Sequence, residues 1–311
     1  MSFSFTILGS SSAVPTSERF PAAHVVNIHE RYFLVDCGEG AQIQLRRNKI
    51  GFGKIDHIFI SHIHGDHTFG LFGLISTFSL LGRKSDLHIF ANPLLKSILE
   101  DHRKYYYEHP LPFNIIFHPL GSKKKELIYE DKKAEVYTIP LKHRIPACGF
   151  LFLEKPPLLN IIKEQVIRQE IPVKDIAGIK SGKDFVNKKG EVIPNYLLTL
   201  PPFKPRSLAY CTDTKLTESI LPQIKEVDIL YHEATYLHNM LERAVETGHS
   251  TAKQAGMLAR KANPGKLIIG HFSARYKDTE PLLEEARHEF SRTFAAIEGE
   301  CHTIEQVRMK R

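Results

Sequence analysis

Apolar positions in the first half of the chain come in short runs with a period near two or with none. They predict strands at residues 3–8, 24–29, 31–35, 55–60, 87–90, 115–118, 135–141 and 150–153. Stretches with helical spacing fall between them, at 41–48, 68–81 and 93–106. The lysine-rich stretch 121–133 reads as a hairpin or a solvated turn. The apolar runs then disappear between residues 154 and 206, where prolines recur and only 158–167 keeps helical spacing. The core pattern resumes with strands at 207–211, 227–231 and 266–270, and with helices at 252–261 and 281–290. Ser250 or Thr251 is placed to cap the first of these helices. A short strand and a basic tail follow. Strands that cluster early, with helices interleaved, predict an α/β protein of two packed sheets with helices outside, interrupted by an inserted arm at 154–206.

Composition changes this picture only at its edges. The 311 residues suffice for one large domain, and 42% hydrophobic content is ordinary. No apolar run reaches the length of a membrane span, and the first residues, MSFSFTILGSSS, lack the basic start of a secretion signal. The four cysteines, Cys37, Cys148, Cys211 and Cys301, are scattered without paired spacing. They read as buried thiols in a reducing cytoplasm, with no disulfide-linked partner. A formal charge of +7 favours an acidic partner, nucleic acid first. The 154–206 stretch contributes ten basic residues against six acidic ones.

The chemistry is concentrated behind the strand at 55–60, in Ser61-His62-Ile63-His64-Gly65-Asp66-His67. His62 and His64 are two apart and share a side of an extended segment. Gly65 allows a tight turn, after which Asp66 and His67 can reach neighbouring positions. Imidazole and carboxylate donors of this kind suit zinc or another first-row divalent ion. Other predicted strands also end in donors, at Asp36, His143, Asp213 and His271. Apart from Asp36 this makes seven donors, enough for two ions that share one carboxylate. Paired ions polarise a phosphate and activate water.

His-x-His-x-Asp-His followed by His143, Asp213 and His271 resembles the metallo-β-lactamase superfamily. Further matches narrow the resemblance to the short-form tRNase Z family over nearly the whole chain. They are Pro15-Thr16-x-x-Arg19, Asp36-x-Gly38-Glu39-Gly40, His232-Glu233-Ala234-Thr235, Gly248-His249-Ser250-Thr251 and His271-Phe272-Ser273-x-Arg275-Tyr276. The resemblance implies a four-layer αβ/βα sandwich over residues 1–311 and an endonuclease that removes 3′ trailers from precursor tRNA. It implies two Zn2+ ions (Mn2+ or another divalent ion being an alternative), one held by His62, His64 and His143 and the other by Asp66, His67 and His271. Asp213 would bridge them and Asp36 would orient ligands from behind. Asp66 would handle the attacking water, and His249, oriented by Glu233, the leaving oxygen. Pro15, Thr16 and Arg19 would lie near the acceptor end of the tRNA, and the arm would grip its elbow. A homodimer is implied as well. The arm departs from the bacterial pattern in having no Gly-Pro start. Another phosphodiesterase or sulfatase-type hydrolase of the same superfamily is the alternative that the metal motif alone would allow.

Overall fold

Strand Phe3–Gly9 is almost wholly buried and pairs antiparallel with Ala23–Ile28, which in turn pairs antiparallel with Arg31–Cys37. In the computed structural model, which describes residues 2–107 and 109–309, these strands begin a seven-stranded sheet. The sheet continues in parallel through Ile55–Phe59, Leu87–Ala91 and Ile115–Pro119, with Cys301–Thr303 on its other edge. A second seven-stranded sheet has the order Thr293–Ala295, Lys266–Gly270, Ile229–Glu233, Ser207–Cys211, Cys148–Glu154, Ala134–Pro140, Leu127–Glu130. Phe3, Phe5, Phe33 and Phe59 of the first sheet and Phe150, Phe152, Tyr210 and Ile229 of the second form one continuous buried cluster. Helices Ala41–Arg47, Gly65–Leu80 and Leu94–Tyr106 place Leu45, Leu71, Phe78 and Leu95 against the outer face of the first sheet. Ala252–Ala262 and Glu280–Glu289 cover the second. The expected four layers are present. Thr251 caps the helix at Ala252 with a full capping box, its hydroxyl accepting from the Gln254 amide.

Register delivers the site. Ser207–Cys211, Ile229–Glu233 and Lys266–Gly270 run parallel, with Cys211 opposite His232 and Glu233 opposite Gly270. The residues that leave these strands, Asp213, Thr235 and His271, therefore emerge on one edge. Strands Arg31–Cys37 and Ile55–Phe59 are likewise parallel, Val35 beside Phe59, and release Asp36 and Ser61 together.

Three details differ from the sequence pattern. The helix expected from residue 68 begins at Gly65, so Asp66 and His67 lie in its first turn. Periodicity is read from apolar positions and misses a first turn made of donors, although an acidic residue there suits the positive end of the helix. Gly65 does not adopt a positive φ. A Cβ on it would instead fall 2.3 Å from Cε2 of Phe69, so the Phe69 ring lies in the space that a side chain here would take. Cys37, Cys148 and Cys211 are buried and free, but Cys301 is free and exposed because it sits on an edge strand.

Glu154–Arg206 with the tail from residue 305 to 309 forms a second compact unit. Its own small core is Ile171, Ile179, Phe185 and Leu198. The helical spacing around 158–167 resolves into a two-residue strand, Asn160–Ile161, and the helix Lys163–Arg168. Glu154 and Arg206 close its neck with two parallel hydrogen bonds of 2.9 Å between buried side chains. The tail joins it: the Lys204 amide donates to the Val307 carbonyl at 2.8 Å, and the Arg308 guanidinium lies over the Phe203 ring. Among the described residues no helix is long and apolar enough to cross a membrane.

The metal-site helix is seated by glycine. A Cβ on Gly70 would lie 2.0 Å from the carbonyl oxygen of Gly38, at the end of the strand that presents Asp36. Helix propensity alone would make alanine about 1 kcal/mol better there, whereas the overlap costs about 2 kcal/mol. Gly70→Ala is therefore expected to be destabilising in urea unfolding, and a stabilised variant would contradict this seating.

Candidate metal centre

Asp213, 2% exposed, stands between two groups of histidines. Its Oδ2 lies 3.5 Å from His62 Nε2 and 3.6 Å from His143 Nε2. Its Oδ1 lies 3.2 Å from His67 Nε2 and 3.1 Å from His271 Nε2. His64 completes the first group through Nδ1, 3.0 Å from His62 Nε2 and 3.4 Å from His143 Nε2. Asp66 completes the second through Oδ2, 3.5 Å from His67 Nε2 and 3.4 Å from His271 Nε2. Donors arranged tetrahedrally at zinc bond lengths stand about 3.3 Å apart, which is the spacing seen in both groups.

The donor set fits a cation in a second respect. His67 Nε2 and His271 Nε2 are buried and have no hydrogen-bond partner among the described residues. A bare nitrogen in such a place is costly unless something positive meets its lone pair. The opposite ring nitrogens are tied down. His67 Nδ1 meets Asp36 Oδ2 at 2.8 Å, His62 Nδ1 meets Ser61 Oγ at 3.0 Å, His271 Nδ1 meets Thr235 Oγ1 at 3.0 Å, and His143 Nδ1 meets the Gly248 carbonyl at 2.8 Å. Such outer bonds select the tautomer that leaves the facing nitrogen free to ligate. The seven predicted donors thus come together in two groups that divide the two oxygens of Asp213 between them.

Asp36 is the best supported of the outer groups. It accepts from the Ser61 amide at 2.7 Å, the Ser61 hydroxyl at 3.0 Å and the Tyr210 hydroxyl at 2.7 Å, besides touching His67. Asp36 and His271 both have a positive φ, 55° and 59°, a conformation uncommon outside glycine. Each turns its side chain off a strand end toward the site.

Glu233 and His249 form a pair that borders the donors, His249 Nδ1 lying 3.9 Å from Asp213 Oδ2 and close enough to Asp213 and His271 to form a third set able to hold a cation. Their Oε1···Nδ1 distance is 2.9 Å, and Glu233 also accepts from the Thr214 amide at 2.7 Å and from the Thr235 hydroxyl at 2.6 Å. Burial by itself would lower the His249 pKa, but the Glu233 carboxylate, helped by Asp213, outweighs it and lifts the imidazole to about 9. Burial likewise raises Asp66, and the neighbouring imidazoles of His67 and His271 outweigh it, so this carboxyl is held below its usual range.

A cleft of about 390 Å³ opens over these groups, lined by Pro15, Asp66, Phe69, Arg144, Asp213 and His249 among others. The loop carrying Pro15 and Thr16 reaches the site through the Ala13 amide, which donates to Asp66 Oδ2 at 2.7 Å. Arg19 points elsewhere. Its guanidinium donates to the Tyr276 carbonyl at 2.6 Å and to those of Ser273 and Lys277 at 3.4 Å, so it fastens the loop to the segment behind His271. Ser61 and Thr235 lie inside stretches singled out in the sequence but received no role there, and Tyr210 was not singled out at all. A hydroxyl beside a motif is too common to single out, and Tyr210 meets Asp36 only across the two sheets.

This fold and these paired donor groups define a metal-dependent hydrolase of the metallo-β-lactamase class. The chain is 48% identical to Ribonuclease Z of Bacteroides thetaiotaomicron over 97% of its length and 95% of the relative's. It is 47% identical to Ribonuclease Z of Cytophaga hutchinsonii over 96% of its length and 95% of the relative's. The chain belongs to the ribonuclease Z family. Among solved structures, human tRNase Z, short form, matches with a TM-score of 0.71 and 25% identity, covering 97% of this chain and 99% of that one. The metallo-beta-lactamase fold protein YhfI from Bacillus subtilis, at 16% identity and a TM-score of 0.68 over 97% of this chain and 98% of that one, shares the fold. The family model for Anti-Pycsar protein Apyc1 matches residues 3–155, which stop short of Asp213, Glu233, His249 and His271.

Replacing Asp36 by asparagine tests the outer bonds. Asp36→Asn removes the anionic acceptor of His67 and is expected to weaken metal retention about 10- to 100-fold, measured by competition with a chromogenic chelator. Unchanged retention would show that His67 is held without it.

Proposed function

We propose that this chain is an endoribonuclease that cuts the 3′ trailer from precursor tRNA, leaving a 3′-hydroxyl on the tRNA and a 5′-phosphate on the trailer. Membership of the ribonuclease Z family and the Glu233–His249 pair beside the metal-ligating groups carry this reading. Two Zn2+ ions fit the donors, one on His62, His64 and His143, the other on Asp66, His67 and His271, with Asp213 common to both. Bound there, they would supply positive charge to the scissile phosphate and lower the pKa of water. The chain's own residues do the rest. Asp66, kept ionised, orients the attacking water along the cleft. His249, kept protonated by Glu233, presents a proton to the departing 3′ oxygen as the phosphorus–oxygen bond breaks. Pro15 and Thr16 shape the cleft wall near the cut, and Arg19 acts through the loop it fastens.

Residues 154–206 are the proposed tRNA-gripping arm. Lys163, Arg168, Lys174, Lys183, Lys188 and Lys189 lie in this stretch, and charge of this kind holds a phosphate backbone without reading sequence. A homodimer in the cytoplasm completes the reading. Such an enzyme meets precursor tRNA where it is made and in a reducing environment that suits three buried free thiols.

Incubation with a trailer-bearing precursor tRNA should give a single cut at the trailer that is lost with chelator and restored by Zn2+ or Mn2+. Absence of cleavage with either ion present would overturn the reading. His249→Ala should keep its metal content, measured by elemental analysis, while cleavage slows about 10²- to 10⁴-fold. Loss of an ion in that variant would make His249 a ligand instead. Replacing Lys174, Lys183, Lys188 and Lys189 together by glutamine should weaken precursor binding and flatten its salt dependence, with hydrolysis of a small phosphodiester retained. An unchanged salt dependence would remove the arm from the substrate path.

A further inference from the structure

Phe69 is out of place as a core residue. It lies in the first half of the helix Gly65–Leu80, yet it is 65% exposed, while Leu71, Leu74 and Phe78 of the same helix are buried. It lines the cleft that contains Asp66, Asp213 and His249. Phe69 is three residues beyond Asp66, so the two share a face of the helix. The ring folds back over the helix start into the space that a side chain on Gly65 would take: a Cβ there would meet Cε2 at 2.3 Å and Cζ at 2.4 Å. An aromatic face is thus held at the mouth of the site, next to the groups that act on the phosphate. The same cleft carries the exposed Arg144, which has no hydrogen bond or ion pair among the described residues.

A flat apolar face and an unpaired guanidinium beside a hydrolytic centre match the parts of one nucleotide, the base and its phosphate. Unpaired bases are held by stacking on aromatic rings, and the interaction tolerates any base. Resting on the ribonuclease reading above, we propose that Phe69 stacks against the base of a nucleotide flanking the scissile bond and so sets the position of the cut. Arg144 takes the adjoining phosphate. Phe69 is a positioning residue: it neither ligates nor moves a proton.

The test uses trailer removal by the full-length, metal-loaded protein. Three precursors are compared, one intact, one abasic at the last retained nucleotide and one abasic at the first trailer nucleotide. Wild type, Phe69→Ala and Phe69→Trp are assayed on each, with metal content checked for all three proteins. Phe69→Ala should lose about tenfold in kcat/KM on the intact precursor and scatter its cut by one or more nucleotides. On one of the two abasic precursors it should match wild type, because the base it would have held is already gone. Phe69→Trp should restore both rate and cut position. Equal losses on all three precursors, no loss on any, or a loss explained by missing metal would overturn the stacking role. Failure of the wild type to cut the intact precursor is a separate outcome that removes the ribonuclease reading itself, and with it this one.

Discussion

The constraint on which this structure turns is the convergence of imidazole nitrogens on one buried carboxylate. Asp213 offers each of its oxygens to a different pair of histidines, and the facing nitrogens of His67 and His271 have no other partner among the described residues. Without a compensating cation such an arrangement is unfavourable, since buried polar groups are normally paired. The chain nonetheless ties the far side of four rings to Asp36, Ser61, Thr235 and the Gly248 carbonyl, so that they cannot turn away. The fold holds the donors in readiness and relies on cations to make the arrangement favourable.

The rest of the molecule can be read as support for this rim. Two parallel sets of strands, one in each sheet, end at matching heights and release their donors into the same space. The aromatic core between the sheets fixes the spacing of the two rims. Tyr210 crosses that core to reach Asp36, so a side chain from one sheet steadies a ligand network on the other. The close approach of Gly70 to Gly38 seats the helix that begins with Asp66 and His67. Small displacements at any of these places would be felt at the ligands, because site geometry of this kind tolerates about half an ångström.

A second interaction adjoins the first. Glu233 is fully buried and gives its carboxylate to His249, Thr214 and Thr235. Through the Thr235 hydroxyl, which also meets His271, the Glu233–His249 pair and the histidine–aspartate group are parts of one hydrogen-bonded unit. Burial works against a charge on the His249 imidazole, and only a strong local anion can raise its pKa there. Glu233 supplies it.

Much of this was legible in the chain itself. The strand runs and the donors at their ends follow from local pattern: residues 55–60 announce a strand, and His62, His64, Asp66 and His67 announce a ligand cluster whatever surrounds them. Sheet pairing over long separations was not legible. Nothing local says that Tyr210 meets Asp36, that Arg19 spends its charge on the carbonyls behind His271, or that the tail around Arg308 joins Phe203 and the stretch 154–206. The helix start at Gly65 was hidden because amphipathic spacing begins only after the donors end. By itself, then, the sequence determined which imidazoles and carboxylates the fold gathers at one rim, since ligand type and strand ends are local properties. Only the tertiary structure decided which oxygen of Asp213 faces which histidines and which side chains merely hold others in place, because those depend on the register between strands far apart in the chain.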